Sequence, residues 1–339
     1  MTDFDPDGAG TDGGLFGLPS VVRPAVAVIA VPWEATVSYG QGTAAAPQAI
    51  EGASQQVDLY DLEYGPIWKS GIDWVGNPET LANWNAQACA LARPVVEAGD
   101  VGSDPALKAL AKQVDEFAEQ RDVCVHQWAE SAFDDGQVPA VLGGDHSSPL
   151  GLIRAAAERH QGLGILHLDA HADLREAYMG FRSSHASIMA RALECSGVHR
   201  LVGVGYRDLG HREWERIERD TERIRAYTDP EIAMRLSRGE HWLSIVEQIV
   251  EELPPKVHIS FDIDGLDPSL CPNTGTPVPG GLGYRDVQIL LRTVAKHRQV
   301  VSFDLCEVSP GHSDEWDANV GARLLYKLSG CALSSRSRQ

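Results

Sequence analysis

Alternating strand and helix patterns constrain the fold of this chain more than any other feature of its sequence. Short apolar runs rich in β-branched residues recur along it, and amphipathic segments of helical length lie between them. Such alternation favours a mostly parallel sheet with helices on both faces. The predicted strands span residues 25–31, 138–144, 163–171, 199–207, 256–264 and 299–308, and the main predicted helices span residues 105–134, 149–160, 186–195, 240–253 and 284–297.

The predicted fold class is therefore α/β, with three α/β/α layers around a mostly parallel central sheet. The sequence contains no internal repeat and no linker that divides it, so residues 25–330 are predicted to form a single catalytic domain. Residues 1–24, rich in Asp and Gly without periodicity, are predicted to be a flexible arm. Residues 331–339 are predicted to be a C-terminal tail.

The charge of the chain favours a small cationic substrate over a polyanion. Its 29 basic and 48 acidic residues give a net charge of −19, which disfavours a nucleic-acid partner and an anionic membrane surface. The six cysteines are scattered without a CxxC pair, which is typical of reduced thiols. No apolar run approaches the roughly 20 residues that span a bilayer, and the N-terminus lacks the pattern of a signal peptide. A cytoplasmic location is expected.

Three of the predicted strands end in carboxylates or histidines where a buried strand would ordinarily stop. Functional residues of α/β folds collect at the carboxyl ends of strands. A side-chain period of two would place alternate residues of each polar end on one face. Carboxylates this close together at an apolar strand end are destabilising unless a cation neutralises them. The residues concerned are His146, Asp169, His171, Asp173, Asp262 and Asp264.

This set of residues predicts a site for two divalent ions. Its four carboxylates carry a charge of −4, and its two histidines can supply one neutral imidazole to each ion. An oxygen-rich set without thiolates suits Mn²⁺, and Ni²⁺, Co²⁺ or Fe²⁺ could use similar ligands. Two ions about 3.5–4 Å apart can share and activate a water molecule, which indicates hydrolysis. His167 and His258 lie inside the apolar runs and are interpreted as buried core residues.

Three motifs resemble the signature motifs of the ureohydrolase (arginase and agmatinase) family, in the same order. They are GGDHS at residues 143–147, DAHAD at residues 169–173 and SFDIDGLDP at residues 260–268. Further similar segments are TVSYGQGT at residues 36–43, PQAI at residues 47–50, EVSP at residues 307–310 and DANVGARL at residues 317–324. The resemblance covers residues 25–330. It implies an arginase-like fold, two Mn²⁺ ions, cleavage of a guanidino group to urea and an amine, and a homo-oligomer, either a trimer or a hexamer.

The resemblance also assigns roles to individual residues. One ion would be held or bridged by four ligands of the set, and His171 and Asp264 would complete the pair. Asp173 is placed to pass a proton to the departing amine, and Glu307 matches the glutamate that binds the guanidinium. His185 matches a loop histidine that shuttles protons. The four ligands of the first ion would be His146, Asp169, Asp173 and Asp262.

The loop at residues 174–184 resembles the agmatinase branch more than the arginases, which place small hydroxyl and amide residues there. Agmatine, cleaved to putrescine and urea in polyamine metabolism, is therefore the expected substrate. Glu176, Tyr178 and Trp33 are candidates for receiving its distal ammonium. Arg175 would suit a carboxylate substrate unless it pairs with a nearby acid. Arginine, guanidinobutyrate, N1-aminopropylagmatine, guanidine and formimidoylglutamate remain alternative substrates.

Two other functional classes share part of this pattern. A mononuclear zinc deacetylase has a distantly related fold but needs only one Asp/His/Asp set, so the metal content per chain distinguishes it. An inactive metal-binding regulatory relative would release no urea from any guanidine when fully loaded with metal. The complete six-residue set favours an active dinuclear hydrolase over both.

Overall fold

Eight parallel strands form one sheet in the computed structural model, which describes residues 4–8, 14–19, 21–311 and 315–336. The strand order is β2-β1-β3-β8-β7-β4-β5-β6, and all seven pairings between neighbours are parallel. The strands are β1 (Val26–Val31), β2 (Ile72–Trp74), β3 (Val138–Gly143), β4 (Leu163–Leu168), β5 (Val198–Val204), β6 (Ile224–Tyr227), β7 (Lys256–Asp262) and β8 (Gln299–Cys306).

Helices cover both faces of the sheet, which confirms the predicted three-layer architecture. The buried residues of α1 and α7–α10 join a core on one face, and those of α2–α6 join a second core on the other. None of the helices in the described part of the chain is long and apolar enough to cross a membrane. The helices are α1 (Ala46–Ser54), α2 (Glu79–Ala98), α3 (Pro105–Asp134), α4 (Leu150–Arg159), α5 (Ile188–Ala192), α6 (His211–Arg219), α7 (Asp229–Ser237), α8 (Trp242–Glu251), α9 (Tyr284–His297) and α10 (Trp316–Arg336).

Local sequence signals fix the ends of α3 and α9, the two helices whose predicted bounds agree with the structure. The Asp104 side chain accepts hydrogen bonds from the backbone N–H groups of Ala106 and Leu107, and Pro105 occupies the first turn of α3. At the start of α9, the Asp286 carboxylate accepts a hydrogen bond from the Gly283 N–H. Both helices therefore begin where their free N–H groups find side-chain acceptors.

The structure differs from the sequence-based expectation beyond the end of β4. The prediction extends this strand to residue 171, with successive side chains on alternating faces, but β4 ends at Leu168. Residues 169–173 form a loop, in which Asp173 adopts a left-handed φ of 52°. A strand would send its alternate side chains along one face, whereas the loop can turn them towards a common point. The edge strands β2 and β6 were not predicted because they are only three and four residues long.

The ends of the described chain are packed more closely than predicted. Leu15 and Phe16 are buried, and the Phe16 ring centroid lies 4.8 Å from that of Tyr326 on α10. A flexible arm over residues 1–24 stays a prediction, and Leu15 and Phe16 are the part of it that packs against the core. Helix α10 continues to Arg336, so the predicted boundary at residue 330 falls inside a helix. Residues 1–3, 9–13, 20 and 337–339 lie outside the described part of the chain.

Four neighbouring strands at the centre of the sheet position the candidate site. Their order is β3-β8-β7-β4, and because all are parallel their carboxyl ends meet at the same edge. The last residue of β7, Asp262, and the loops that follow the four strands carry the predicted metal ligands as well as Glu307. The topology thus brings together motifs that are far apart in the sequence.

Two helical glycines, Gly151 on α4 and Gly52 on α1, provide a test of the close packing between α3 and α4. A Cβ atom at Gly151 would lie 2.2 Å from the backbone oxygen of Asp122 on α3, whereas one at Gly52 on α1 would meet no atom within 4 Å. We expect Gly151→Ala to lower the free energy of unfolding by about 2 kcal/mol or more, because backbone must move. Gly52→Ala should raise it by about 0.5–1 kcal/mol through higher helix propensity. Urea denaturation followed by circular dichroism measures both, and an equal effect of the two substitutions would contradict this interpretation of the packing.

Candidate metal centre

Three carboxylates converge on one nitrogen of His146, which follows β3. Its Nδ1 lies 3.0 Å from Asp169 Oδ2, 3.3 Å from Asp173 Oδ2 and 3.2 Å from Asp262 Oδ2. The other ring nitrogen, Nε2, lies 2.9 Å from the hydroxyl oxygen of Ser260 on β7. When Nε2–H donates to Ser260, the Nδ1 lone pair faces the carboxylates, which is the tautomer that a metal ligand requires.

A second group of donors surrounds His171. Its Nδ1 lies 3.4 Å from Asp169 Oδ1 and 3.1 Å from Asp264 Oδ2. Asp169 therefore directs one carboxylate oxygen to each group, which is the arrangement that a bridging ligand adopts. The structure thus assembles all six predicted ligands into two adjacent groups that share one residue.

The shifted pKa values of these side chains show that their close arrangement is unfavourable without a cation. Burial and the neighbouring carboxylates raise the pKa of Asp262 well above its usual range and that of Asp173 to about 7. Burial lowers the pKa of His171, but the Asp169 and Asp264 carboxylates outweigh it and raise this pKa to about 12. Imidazoles and carboxylates that otherwise need protons for neutrality form a donor set that fits divalent metal ions.

His167 and His258 are fully buried, as predicted, but only His258 is remote from the candidate ligands. His258 contacts Ser302 Oγ at 2.8 Å and Asp304 Oδ2 at 2.8 Å. His167 Nε2 lies 2.9 Å from Asp169 Oδ2, and its Nδ1 lies 2.6 Å from the Tyr206 hydroxyl. We assign the Tyr206 O–H as donor to Nδ1, so that the Nε2 proton faces Asp169. His167 therefore supports the shared carboxylate, a role that its spacing of two residues from Asp169 could have indicated.

Glu307 follows β8 and is held in a strained backbone conformation beside the donors. Its φ is 61°, a left-handed value that non-glycine residues rarely adopt outside functional sites. The backbone N–H of His146 donates to Glu307 Oε1 at 2.8 Å, and the Glu307 N–H donates to the Gly144 oxygen at 2.8 Å. Burial, followed by the nearby Asp145 charge, raises the pKa of Glu307 well above its usual range. The carboxyl group is therefore buried and oriented by the turn that carries His146.

A buried arginine that the sequence interpretation missed supports that turn from behind. Arg121 on α3 is fully buried, donates from Nη1 to Ser147 Oγ at 2.8 Å and binds Asp122 Oδ1 through Nε and Nη2. Ser147 in turn donates to Asp145 Oδ1. The Arg121 guanidinium also lies 4.7 Å from the ring centroid of Trp33. Residues 145–147, which include His146, are thus fixed by a charged network inside the protein.

A cavity of about 230 Å³ opens above the donors and Glu307. Its upper wall includes Ser38 and Tyr178, whose hydroxyl oxygens lie 3.3 Å apart, and the exposed ring of Tyr39. His185 also lines the wall, with Nδ1 3.3 Å from Thr36 Oγ1. Burial and the neighbouring His171 and His146 lower the pKa of His185 to about 4, so its ring is neutral at pH 7.

The two charged loop residues predicted to contact the substrate behave differently. Arg175 lines the cavity, but it lies over the Tyr178 ring at 5.0 Å, and its Nε lies 3.5 Å from Glu213 Oε2. Glu176 is absent from the cavity wall and pairs with Arg191 and Arg216 instead.

Trp33 is not placed to receive an ammonium group from this cavity. It is fully buried, and its ring faces Arg121 instead of the cavity. Of the three candidates for that role, the structure places only Tyr178 in the cavity wall.

The fold and the two donor groups define a metal-dependent α/β hydrolase. The family model described as the arginase family matches residues 24–330. The chain belongs to the arginase family, whose members depend on a binuclear metal centre and hydrolyse guanidino groups.

Relatives of the chain match it over most of their own length. It is 31% identical to an N(1)-aminopropylagmatine ureohydrolase of Thermus thermophilus, over 90% of this chain and 89% of the relative. It is 29% identical to one of Synechocystis sp., over 92% and 90%. The crystal structure of an agmatine ureohydrolase of Thermoplasma volcanium superposes with a TM-score of 0.72 at 25% identity, covering 94% of this chain and 92% of that one. The predicted family resemblance and fold are confirmed.

The Arg121 network can be tested by removing its charge. Arg121→Met leaves Asp122 and Asp145 as buried carboxylates without their cation, so we expect a loss of about 3–5 kcal/mol in the free energy of unfolding. Metal content should also fall, because the turn that carries His146 loses its support. Arg159→Met is the control: its partly exposed pair with Asp134 should contribute about 1 kcal/mol or less. Chemical denaturation and elemental analysis provide the measurements; similar losses for both variants would count against the positioning role.

The low pKa of His185 predicts a neutral ring over most of the physiological range. The folded protein should bind a proton at His185 only as the pH falls towards 4, whereas an unfolded chain binds it near pH 6.5. Between these values the unfolded state holds more protons, so this residue lowers folding stability as the pH falls. NMR titration of the metal-free protein, with His185→Asn to assign the resonance, should show no protonation of this ring above about pH 5. A midpoint at or above 6.5 would contradict the prediction.

Proposed function

We propose that this protein releases urea from a guanidino amine, with agmatine, cleaved to putrescine and urea, as its substrate. The observation that carries the proposal is the position of Asp169 between two donor groups whose other members line the same cavity as the buried carboxyl group of Glu307. The names of the similar proteins, which include aminopropylagmatine and agmatine ureohydrolases, support a substrate with a guanidino group and an amine.

We assign the six candidate ligands to two ions, with Mn²⁺ as the proposed metal and Ni²⁺, Co²⁺ or Fe²⁺ as alternatives. His146, Asp169, Asp173 and Asp262 form the first group, and His171 and Asp264 complete the second with the shared Asp169. Two bound divalent ions would supply Lewis acidity and lower the pKa of a shared water molecule. Their charge would balance the four carboxylates.

The remaining residues act on the substrate and on protons. Glu307 is positioned to receive the planar guanidinium through charge-assisted hydrogen bonds, and the His146 N–H fixes the orientation of its carboxyl group. Asp173 lines the cavity and is placed to hold the proton that the departing amine takes up. Neutral His185 can accept a proton at the cavity wall and release it outside. These three residues are the proposed catalytic and substrate-binding groups.

The alternatives differ in how well they use the observed geometry. A mononuclear zinc deacetylase would leave the second donor group without a purpose. Guanidinobutyrate, arginine or formimidoylglutamate would place a carboxylate near Arg175, whose nearest acid is Glu213. An inactive regulatory relative has no need of the buried Glu307. A cytoplasmic location and a trimeric or hexameric assembly remain proposals from the sequence.

The assignment of the metal ligands is tested by comparing substitutions of Asp264 and Asp267, two aspartates three residues apart. Asp264→Ala should reduce bound metal and abolish urea release, because it removes a donor from the second group; His146→Ala should do the same for the first. Asp267→Ala is the matched control, since the side chain of this partly exposed acid contacts only Ser269 among the hydrogen-bond partners that the structure describes. Elemental analysis and a urea assay of the Mn²⁺-loaded protein provide the readouts. Full activity in metal-poor Asp264→Ala protein would overturn the mechanism.

His185→Ala separates proton transfer from metal binding. We expect kcat to fall by about 10²-fold, the usual scale for a lost proton-transfer group, while metal content is retained. The substrate panel for this assay is agmatine, arginine, guanidinobutyrate, N1-aminopropylagmatine and guanidine, with ammonia release measured from formimidoylglutamate. A loss of metal in the variant would refute the proposed division of roles.

A further inference from the structure

We propose that Asp208 is a specificity-determining residue that receives a second cationic group of the substrate, so that the cavity selects guanidines with a cationic tail. The inference rests on the guanidine hydrolysis proposed above and deepens it. Asp208 follows β5 and lines the cavity that also contains Glu307. The sequence motifs gave it no role, because it lies outside the three strand ends that supply the metal ligands.

The backbone that carries Asp208 is fixed to the metal centre. The N–H groups of Arg207 and Asp208 both donate to the backbone oxygen of Ala170, at 2.7 and 3.1 Å. The Arg207 guanidinium donates to the backbone oxygens of Asp264 and Val278, at 2.6 and 3.0 Å from Nη2. Asp208 is therefore held at a set position relative to both donor groups, which is what a distance-selective substrate contact requires.

The other charged residues in the upper wall are already paired. Glu213 accepts from the Leu174 N–H through Oε1 at 2.9 Å and from the Gly210 N–H through Oε2 at 2.8 Å. Arg175 lies beside this carboxylate and over the Tyr178 ring. The charges of Arg175 and Glu213 thus compensate each other, and neither residue leaves a net charge for the substrate to neutralise.

Asp208 differs from them because its carboxylate is exposed to the cavity without compensation. Within the described parts of the chain, the Asp208 side chain makes no hydrogen bond or ion pair. With the ligand carboxylates assigned to the metals and Glu307 to the guanidinium, Asp208 is the remaining negative charge of the wall. A cation at this point gains a charge-assisted contact without opening an existing pair.

The same charge count disfavours substrates with an acidic tail. A carboxylate would be repelled by Asp208, and the charge of Arg175 is already compensated by Glu213. A tail with both an ammonium and a carboxylate group would gain a favourable contact between its ammonium and Asp208. Its carboxylate would face Arg175, whose charge Glu213 already compensates. The cavity therefore matches an alkylguanidine that ends in an ammonium group, and discriminates against acidic and neutral tails of equal length.

The test compares three four-carbon guanidines that differ only at the tail: agmatine, butylguanidine and 4-guanidinobutyrate. Urea release by the Mn²⁺-loaded protein should give a kcat/KM for agmatine at least about tenfold above that for butylguanidine, the scale of one charge-assisted contact. Asp208→Asn should remove most of this preference by raising the KM for agmatine, while butylguanidine turnover stays unchanged. Glu176→Gln is the matched control, because this acid is paired outside the cavity and should alter neither substrate.

A second readout does not depend on turnover. Putrescine should inhibit butylguanidine hydrolysis more strongly than butylamine does, and Asp208→Asn should abolish that difference. Equal loss of agmatine and butylguanidine turnover in Asp208→Asn, or an unchanged preference for agmatine, would overturn the role of Asp208 alone. Absence of urea from all three guanidines would overturn the proposed function and this inference with it.

Discussion

The mutual repulsion of buried carboxylates is the constraint on which the site depends. Asp169, Asp173, Asp262 and Asp264 all lie at most 5% exposed at the carboxyl edge of the sheet. Water cannot screen charges at this depth, so each carboxylate must be matched by a cation or by a proton. The two imidazoles that point into the group can do this only by becoming charged themselves. The protein thus holds a site whose neutrality is completed by metal ions.

The surrounding protein keeps this group from relaxing. His167 faces the shared carboxylate from within β4, and Ser260 fixes the ring of His146 from β7. The turn at residues 145–147 is anchored to a buried guanidinium on α3. Asp173 and Glu307 have left-handed backbone conformations, which surrounding contacts must stabilise. These conformations lower the stability of the folded protein, and the fold alone does not require them. Such local strain is typical of functional sites.

The sequence predicted the sheet, the layers and all six candidate ligands because each depends on local pattern. Apolar runs identified the central strands, and polar residues at their ends identified the site. Arg121 and Asp208 could not be found in this way, since their roles depend on which helix or loop the fold brings beside them. An arginine on the buried side of α3 is visible only once that side is known. The positions of Trp33 and Glu176 outside the cavity wall could not be predicted for the same reason: composition cannot show which way a loop side chain points.

The parallel topology also determines when the centre can form. The hydrogen bond between the His146 N–H and Glu307 joins residues separated by 161 positions, and the strands that carry them are neighbours only in the finished sheet. Contacts of such long sequence separation form late, because the intervening chain must first be ordered. During synthesis, a nascent chain that ended before β8 would contain all six candidate ligands but lack the strand that lies between β3 and β7. Stable metal binding therefore requires that β8 has paired with β3 and β7. A chain that binds metal stably has completed the centre of the sheet.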